Sequence, residues 1–312
     1  MAPVPPIVAT AADLPSAVTR ALADPPSGER AIVTAAGVPF SVLAWGRPDD
    51  PPLLLIHGVT SSAEIWWRTG PAMAASGRRV LAPDLPGHGE TGSWNGHHRF
   101  ADAAADVVAL TDALGIAAEP ERLAIMGHSW GAGIAAHLPA VGLRPGRLVL
   151  LDPVVMPWSV MKAMSEDPSE RTYQTLEEAS AVISAMNPTW ADGDVLAKAR
   201  SLTQVEERAA LAVLLENGDW DGGLSGLRTP AARGISTWVI RGDPAAGGLL
   251  PDAAVPAFAA LIGEERILTI AGGPHSPQRT HPEAFLVAAI LALGRPDEPA
   301  SSARRRSSIA RR

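Results

Sequence analysis

Ser129 lies in Gly127-His128-Ser129-Trp130-Gly131, directly after the apolar run Leu123–Gly127 and before the Ala-rich stretch Ala132–Leu138. A serine at a strand-to-helix turn, with glycines two residues before and after it, fits the G-x-S-x-G nucleophile elbow. The turn is tight enough that Cβ atoms at 127 and 131 would collide with neighbouring chain, and Ser129 itself must adopt a strained backbone. Its Oγ is then exposed at the carboxyl end of the strand. The Trp130 N–H, next to a helix N-terminus, is placed to stabilise a developing oxyanion. Such a serine needs a base. The chain has 8 histidines and 0 cysteines, which excludes a thiolate nucleophile, thiolate metal sites and disulfides.

The elements that must position this serine read as alternating strands and helices. Phe40–Trp45, Leu53–His57, Arg79–Asp84, Arg122–Gly127, Arg147–Asp152, Trp238–Arg241 and Arg266–Ile270 are short aliphatic runs. Continuous apolar runs of this length suit strands buried on both faces of a parallel sheet. Between them, Phe100, Ala104, Val107, Val108, Thr111 and Leu114 recur at helical spacing, with Asp102, Asp106 and Asp112 mostly on the other side. His281 to Leu293 is a second such helix, opened by Pro282 and followed by Gly294. The pattern predicts an α/β fold, a mostly parallel central sheet flanked by helices.

From about Val154 to Arg233 the rhythm breaks. No strand is evident there, and Thr175–Met186, Val195–Leu202 and Val205–Glu216 are helical candidates. The stretch reads as a helical cap inserted after the sixth strand. The organisation expected is a loose lead-in over 1–28, a core over 29–153 and 234–295, the cap over 154–233, and a basic, disordered tail over 296–312. With 312 residues, 46% of them hydrophobic, the chain is long enough for a sizeable core, and its formal charge of -7 disfavours nucleic acid and anionic membranes. No run approaches the roughly 18–20 apolar residues that span a bilayer. The N-terminus lacks a secretory h-region, so a cytoplasmic location is expected.

Four segments in this order resemble the α/β-hydrolase superfamily, over roughly residues 30 to 294: His57-Gly58-Val59-Thr60, Asp84-Leu85-Pro86-Gly87-His88-Gly89, the elbow, and Ala271-Gly272-Gly273-Pro274-His275-Ser276. The resemblance implies that the Val59 and Trp130 amides form the oxyanion hole and that His275 is the general base. It also implies that no cofactor is needed. His57 and His88 would hold their turns, and His128 would line or support the substrate pocket. Trp66 and Trp158 are further expected pocket residues, although Trp66-Trp67 equally suits core packing. The acid that orients His275 usually follows the seventh strand, which points to Asp243 in Arg241-Gly242-Asp243-Pro244-Ala245. Many members place it three residues after that glycine, where this chain has Ala245. Asp152, at the end of the sixth strand, is the alternative that some branches use.

Two other signals are set aside. Gly87-His88-Gly89-Glu90-Thr91-Gly92 fits G-x-G-x-x-G but continues into Ser93-Trp94-Asn95-Gly96, another loop, so it lacks the helix of a dinucleotide site. His97-His98 has no third metal ligand at a recognisable spacing. Because the nucleophile is a serine, the resemblance is not expected to extend to haloalkane dehalogenases or epoxide hydrolases, which use a carboxylate there. The function expected is hydrolysis of an ester or lactone of a small, largely apolar substrate through an acyl-enzyme. The same residues would also serve a C–C bond hydrolase, a haloperoxidase-like perhydrolase, a thioesterase, or a ligand receptor on a hydrolase scaffold. Oligomeric state is not legible.

Overall fold

The computed structural model of the chain describes residues 5–92, 96, 98–167 and 172–295. The basic tail and His97 lie outside the described residues.

Eight strands form one sheet in the order β1-β2-β4-β3-β5-β6-β9-β10. They are β1 (Glu29–Ala35), β2 (Val38–Trp45), β3 (Pro52–Ile56), β4 (Arg79–Pro83), β5 (Ala124–His128), β6 (Arg147–Leu151), β9 (Ser236–Arg241) and β10 (Ile267–Thr269). β2 runs antiparallel to its neighbours β1 and β4, while β3 to β10 pair in parallel. The aliphatic runs become strands because both faces are covered: every residue of β5 and β6 is buried. On one face lie α3 (Phe100–Ala113) and α4 (Trp130–His137), contributing Ala104, Val107, Leu110, Ile134 and Ala135. On the other, α1 (Ser16–Ala23), α2 (Thr69–Ala74) and α12 (Pro282–Leu293) contribute Val18, Met73, Phe285 and Leu286. Each large apolar side chain so buried stabilises the fold by roughly 1.5–3 kcal/mol before entropy is counted.

Two expectations change. The lead-in is not loose: α1 buries Val18 completely against the core, and Ile7 bridges to Ile270 beside β10. β1 was not legible because it is an edge strand whose residues mostly face solvent without a clear alternation, with Ile32 60% exposed.

The stretch between β6 and β9 contains α5 (Trp158–Glu166), α6 (Leu176–Met186), α7 (Asp192–Gln204) and α8 (Glu207–Glu216). It also contains strands, contrary to expectation: β7 (Val155–Met156) and β8 (Trp220–Asp221) pair antiparallel, Val155 opposite Asp221. Two residues each are too short to show a period. They close the neck through which the chain leaves and re-enters the core. After it, α9 (Leu224–Leu227) packs back onto α4, with Gly226 held close to the Ala136 carbonyl.

Candidate active site

The parallel ladder brings the carboxyl ends of β5, β6, β9 and β10 together, and the loops leaving them carry Ser129, Asp152, Asp243 and His275. His128 is level with Leu151, and Leu151 with Ile240. Ser129 and Asp152 therefore leave adjacent strands side by side, and the Ser129 amide donates to the Leu151 carbonyl at 3.0 Å.

The elbow is strained as its composition implies. Ser129 has φ 57° and ψ -118°, a region that side chains rarely adopt. A Cβ at Gly131 would lie 2.5 Å from the Ile56 carbonyl oxygen, and one at Gly127 would overlap the Gly131 carbonyl. Both glycines are required by close approach of backbone. Trp130 is the first residue of α4, so its amide is one of those left without an intrahelical acceptor.

The carboxylate beside His275 is Asp152, not Asp243. Asp152 Oδ2 accepts from His275 Nδ1 at 2.6 Å. The same carboxylate accepts from the Gly242 amide at 2.8 Å and the Leu249 amide at 2.9 Å, and its side chain is fully buried. Asp243 is occupied with its own turn: Oδ1 accepts from Ala245 N at 2.9 Å and Oδ2 from Gly272 N at 3.2 Å. It fastens the histidine loop by the backbone and does not reach the ring. With Nδ1–H given to Asp152, His275 Nε2 carries a lone pair and can accept a proton.

Two neutral imidazoles hold the surrounding loops. His57 Nε2 accepts from the Leu85 amide at 3.0 Å, so Nδ1 carries the proton and donates to the Gly58 carbonyl at 2.7 Å. That side chain ties the Val59 loop to the Asp84–Gly89 turn. Asp84, buried, accepts from Ala63 N, Glu90 N and Arg30. His128 Nε2 donates to the His275 carbonyl at 2.9 Å. Burial, and then the neighbouring His275, push the His128 imidazole well below its usual range and keep it neutral.

Ser129, His275, Val59 and His128 all line one cavity of about 380 Å³, whose other lining residues come largely from the stretch between β6 and β9. Its walls are largely apolar and include Met156, Met161, Met164, Met186, Leu214 and Trp220. Two expected pocket residues are elsewhere. Trp66 has no exposure and belongs to the core against α2 and α12. Trp158 is 42% exposed, with its amide on Asp219 and its indole N–H on the Leu215 carbonyl, outside the cavity. Trp190 faces the cavity and stacks under Arg279, 4.5 Å from its ring centroid. The Trp130 ring turns to the sheet's flank, beside His88 and His98. Arg279 and Lys198 are buried cavity residues that the sequence reading did not single out.

The Alpha/beta hydrolase family model matches residues 53–289. Among curated proteins, the chain is 35% identical to epoxide hydrolase A of Mycobacterium tuberculosis over 113 residues, 35% of this chain and 33% of that one. It is 31% identical to a non-heme chloroperoxidase of Streptomyces lividans over 155 residues, 49% of this chain and 54% of that one. The chain thus matches about a third to a half of these relatives' length. The similarity does extend to an epoxide hydrolase, contrary to the separation expected from the serine. Among solved structures, E-2-(acetamidomethylene)succinate hydrolase superposes with a TM-score of 0.72 at 17% identity, covering 85% of this chain and 99% of that one. No helix among the described residues is long and apolar enough to cross a membrane.

Proposed function

Because the chain belongs to the alpha/beta hydrolase family, we propose that it is a serine hydrolase cleaving an ester or lactone of a small, largely apolar substrate. The observation that carries this reading is the 2.6 Å pair between His275 Nδ1 and the buried Asp152 Oδ2, with His275 lining the same cavity as Ser129. In this reading His275 Nε2 takes the Ser129 hydroxyl proton as Oγ attacks the substrate carbonyl carbon. The amides of Val59 and Trp130 receive the oxyanion. The tetrahedral adduct collapses as His275 returns the proton to the leaving alkoxide. Water, deprotonated by the same imidazole, then attacks the acyl carbon; the bond to Oγ breaks, the imidazolium returns the proton to Ser129 Oγ, and the carboxylic acid is released. Asp152 holds the tautomer and stabilises the imidazolium. The Met- and Leu-rich wall supports an apolar acyl or alcohol group.

A serine at the elbow sets this chain apart from the carboxylate chemistry of haloalkane dehalogenases and epoxide hydrolases, because attack at an alkyl carbon would leave a stable ether. The similarity to a chloroperoxidase favours one variant reading, in which hydrogen peroxide replaces water in deacylation and yields a peracid.

The test is multiple turnover of p-nitrophenyl butyrate, together with labelling of Ser129 by a fluorophosphonate. Ser129→Ala should lose both, with kcat down by about 10⁶ on the precedent of serine proteases. Wild-type protein that neither turns over nor labels would sink the reading.

A further inference from the structure

One face of the cap helix α7 is fastened to the segment that follows Val59. Asp194 accepts from Arg68 Nη2 at 2.8 Å and from Trp67 Nε1 at 3.0 Å. Lys198 Nζ donates to the Thr60 carbonyl at 3.0 Å and to Thr60 Oγ1 at 2.9 Å. Ser201 Oγ lies 2.7 Å from Ser62 Oγ. Positions 194, 198 and 201 follow an i, i+4, i+7 spacing, so the three polar groups share one stripe of the helix. All three residues are buried. Buried polar groups at a cap-to-core contact are retained only where their geometry is satisfied.

The middle rung touches the chemistry. Thr60 holds φ 52°, in the left-handed region that a β-branched residue disfavours, and Lys198 holds both its carbonyl and its hydroxyl there. On the other side of Val59, His57 Nδ1–H holds the Gly58 carbonyl at 2.7 Å. In a trans peptide the N–H points opposite the C=O, so fixing the Gly58 oxygen aims the Val59 N–H. Val59 therefore sits between two clamped carbonyls, one held from the core and one from the cap. Lys198 also lines the catalytic cavity, as do Val59 and Ser129.

We infer that Lys198 is a positioning residue for the oxyanion hole: it acts through Thr60 to fix the Val59 amide. This makes the cap a working part of the catalytic machinery as well as a lid on the substrate, and it rests on the serine-hydrolase reading. Lys198→Met keeps the length of the side chain and removes both the donors and the charge.

With p-nitrophenyl butyrate, Lys198→Met should lower kcat by about 10–100-fold, less than the 10²–10³ of losing an oxyanion donor outright. KM should change less than about threefold. Affinity for butaneboronic acid, which forms a tetrahedral adduct on Ser129, should fall by the same factor as kcat. Lys198→Arg should recover most of both losses. Where Lys198→Met does not fold, Lys198→Leu carries the same comparison, again without a donor. A folded variant without the donors but with wild-type kcat, or one that changes only KM, overturns the inference, as does a loss of kcat without a parallel loss of boronate affinity. A wild type without turnover or Ser129 labelling overturns the underlying reading and this inference with it.

Discussion

Replacing Asp152 with asparagine tests the central pair most sharply. The carboxylate receives three donors: His275 Nδ1–H and Leu249 N–H on Oδ2, and Gly242 N–H on Oδ1. A carboxamide offers one acceptor and one NH₂. If the NH₂ takes the Oδ2 position, it faces His275 and the Leu249 amide. The ring can then bond to it only by accepting at Nδ1, which places its proton on Nε2 and removes the lone pair that Ser129 needs. If the NH₂ takes the Oδ1 position, it faces the Gly242 amide in a fully buried site, at a cost of about 1–3 kcal/mol. Each arrangement leaves one backbone amide unpaired, Leu249 in the first and Gly242 in the second; the first is the one that the wrong tautomer of the serine-protease Asp→Asn precedent corresponds to. The wrong tautomer reduced kcat by about 10⁴ in the serine-protease triad, equivalent to about 5.4 kcal/mol. Asp152→Asn should therefore lose about 10⁴ in kcat for p-nitrophenyl butyrate, measured on folded protein and normalised by fluorophosphonate titration of the wild type. Asp243→Asn, which disturbs only bonds to Ala245 and Gly272, should lose less than tenfold. Should Asp152→Asn stay within tenfold of wild type while Asp243→Asn loses a thousandfold, the geometric argument is wrong.

Two predictions concern stability. Burial keeps His57, His88 and His128 neutral by lowering their folded-state pKa from 6.5. The unfolded chain then binds more protons below pH 6.5, so the stability these groups contribute is present above that pH and is lost as pH falls through the window beneath it. The slope is up to about 1.4 kcal/mol per pH unit for each group. Urea midpoints should drop steeply between pH 6.5 and 5, before most carboxylates titrate, and a flat midpoint across that range would contradict the assignment. Asp106 on α3 has the opposite sign: burial, and then Asp102, raise its pKa from 3.8 to about 6. Ionising it therefore destabilises the fold as pH rises through that interval. Allowing for solvent screening at this partly exposed site, Asp106→Asn should gain about 1 kcal/mol at pH 8, or roughly 2 °C in Tm. The gain should vanish at pH 4, and an equal gain at both values would point to a cause other than charge.

Sequence made the sheet and the elbow legible because each follows from a local requirement. Leu53–His57 and Arg147–Asp152 can only be strands covered on both sides, and Gly127 and Gly131 answer to backbone approach within a few residues of Ser129. The acid was harder. Asp152 and Asp243 end neighbouring strands 91 residues apart in sequence, and which one meets His275 depends on where the loop after β9 turns. Ala245 at the third place after the glycine was a hint that the usual loop is altered. Trp66 and Trp158 were misplaced because a tryptophan's type does not say whether it faces a core, a cavity or solvent. Lys198 was invisible for a similar reason: α7 reads as an ordinary amphipathic helix until its partner, the turn after Val59, is placed against it.

The neck formed by β7 and β8 has an evolutionary consequence. Because the chain leaves and returns through a single pair of adjacent strands, the core experiences the length of the excursion only as loop-closure entropy, about 0.6 kcal/mol for each doubling. Helix α6 can be lengthened, shortened or exchanged, and substrate range can drift, while the register that sets Ser129 beside Asp152 is untouched. The stripe on α7 is an exception, since an exchanged cap would have to bring its own clamp for Thr60, and so is α8, whose ends bond to Gly87, His98 and Phe100. Divergence in such a scaffold would be unequal, free at the rim of the cavity and narrow along the helices tied to the core.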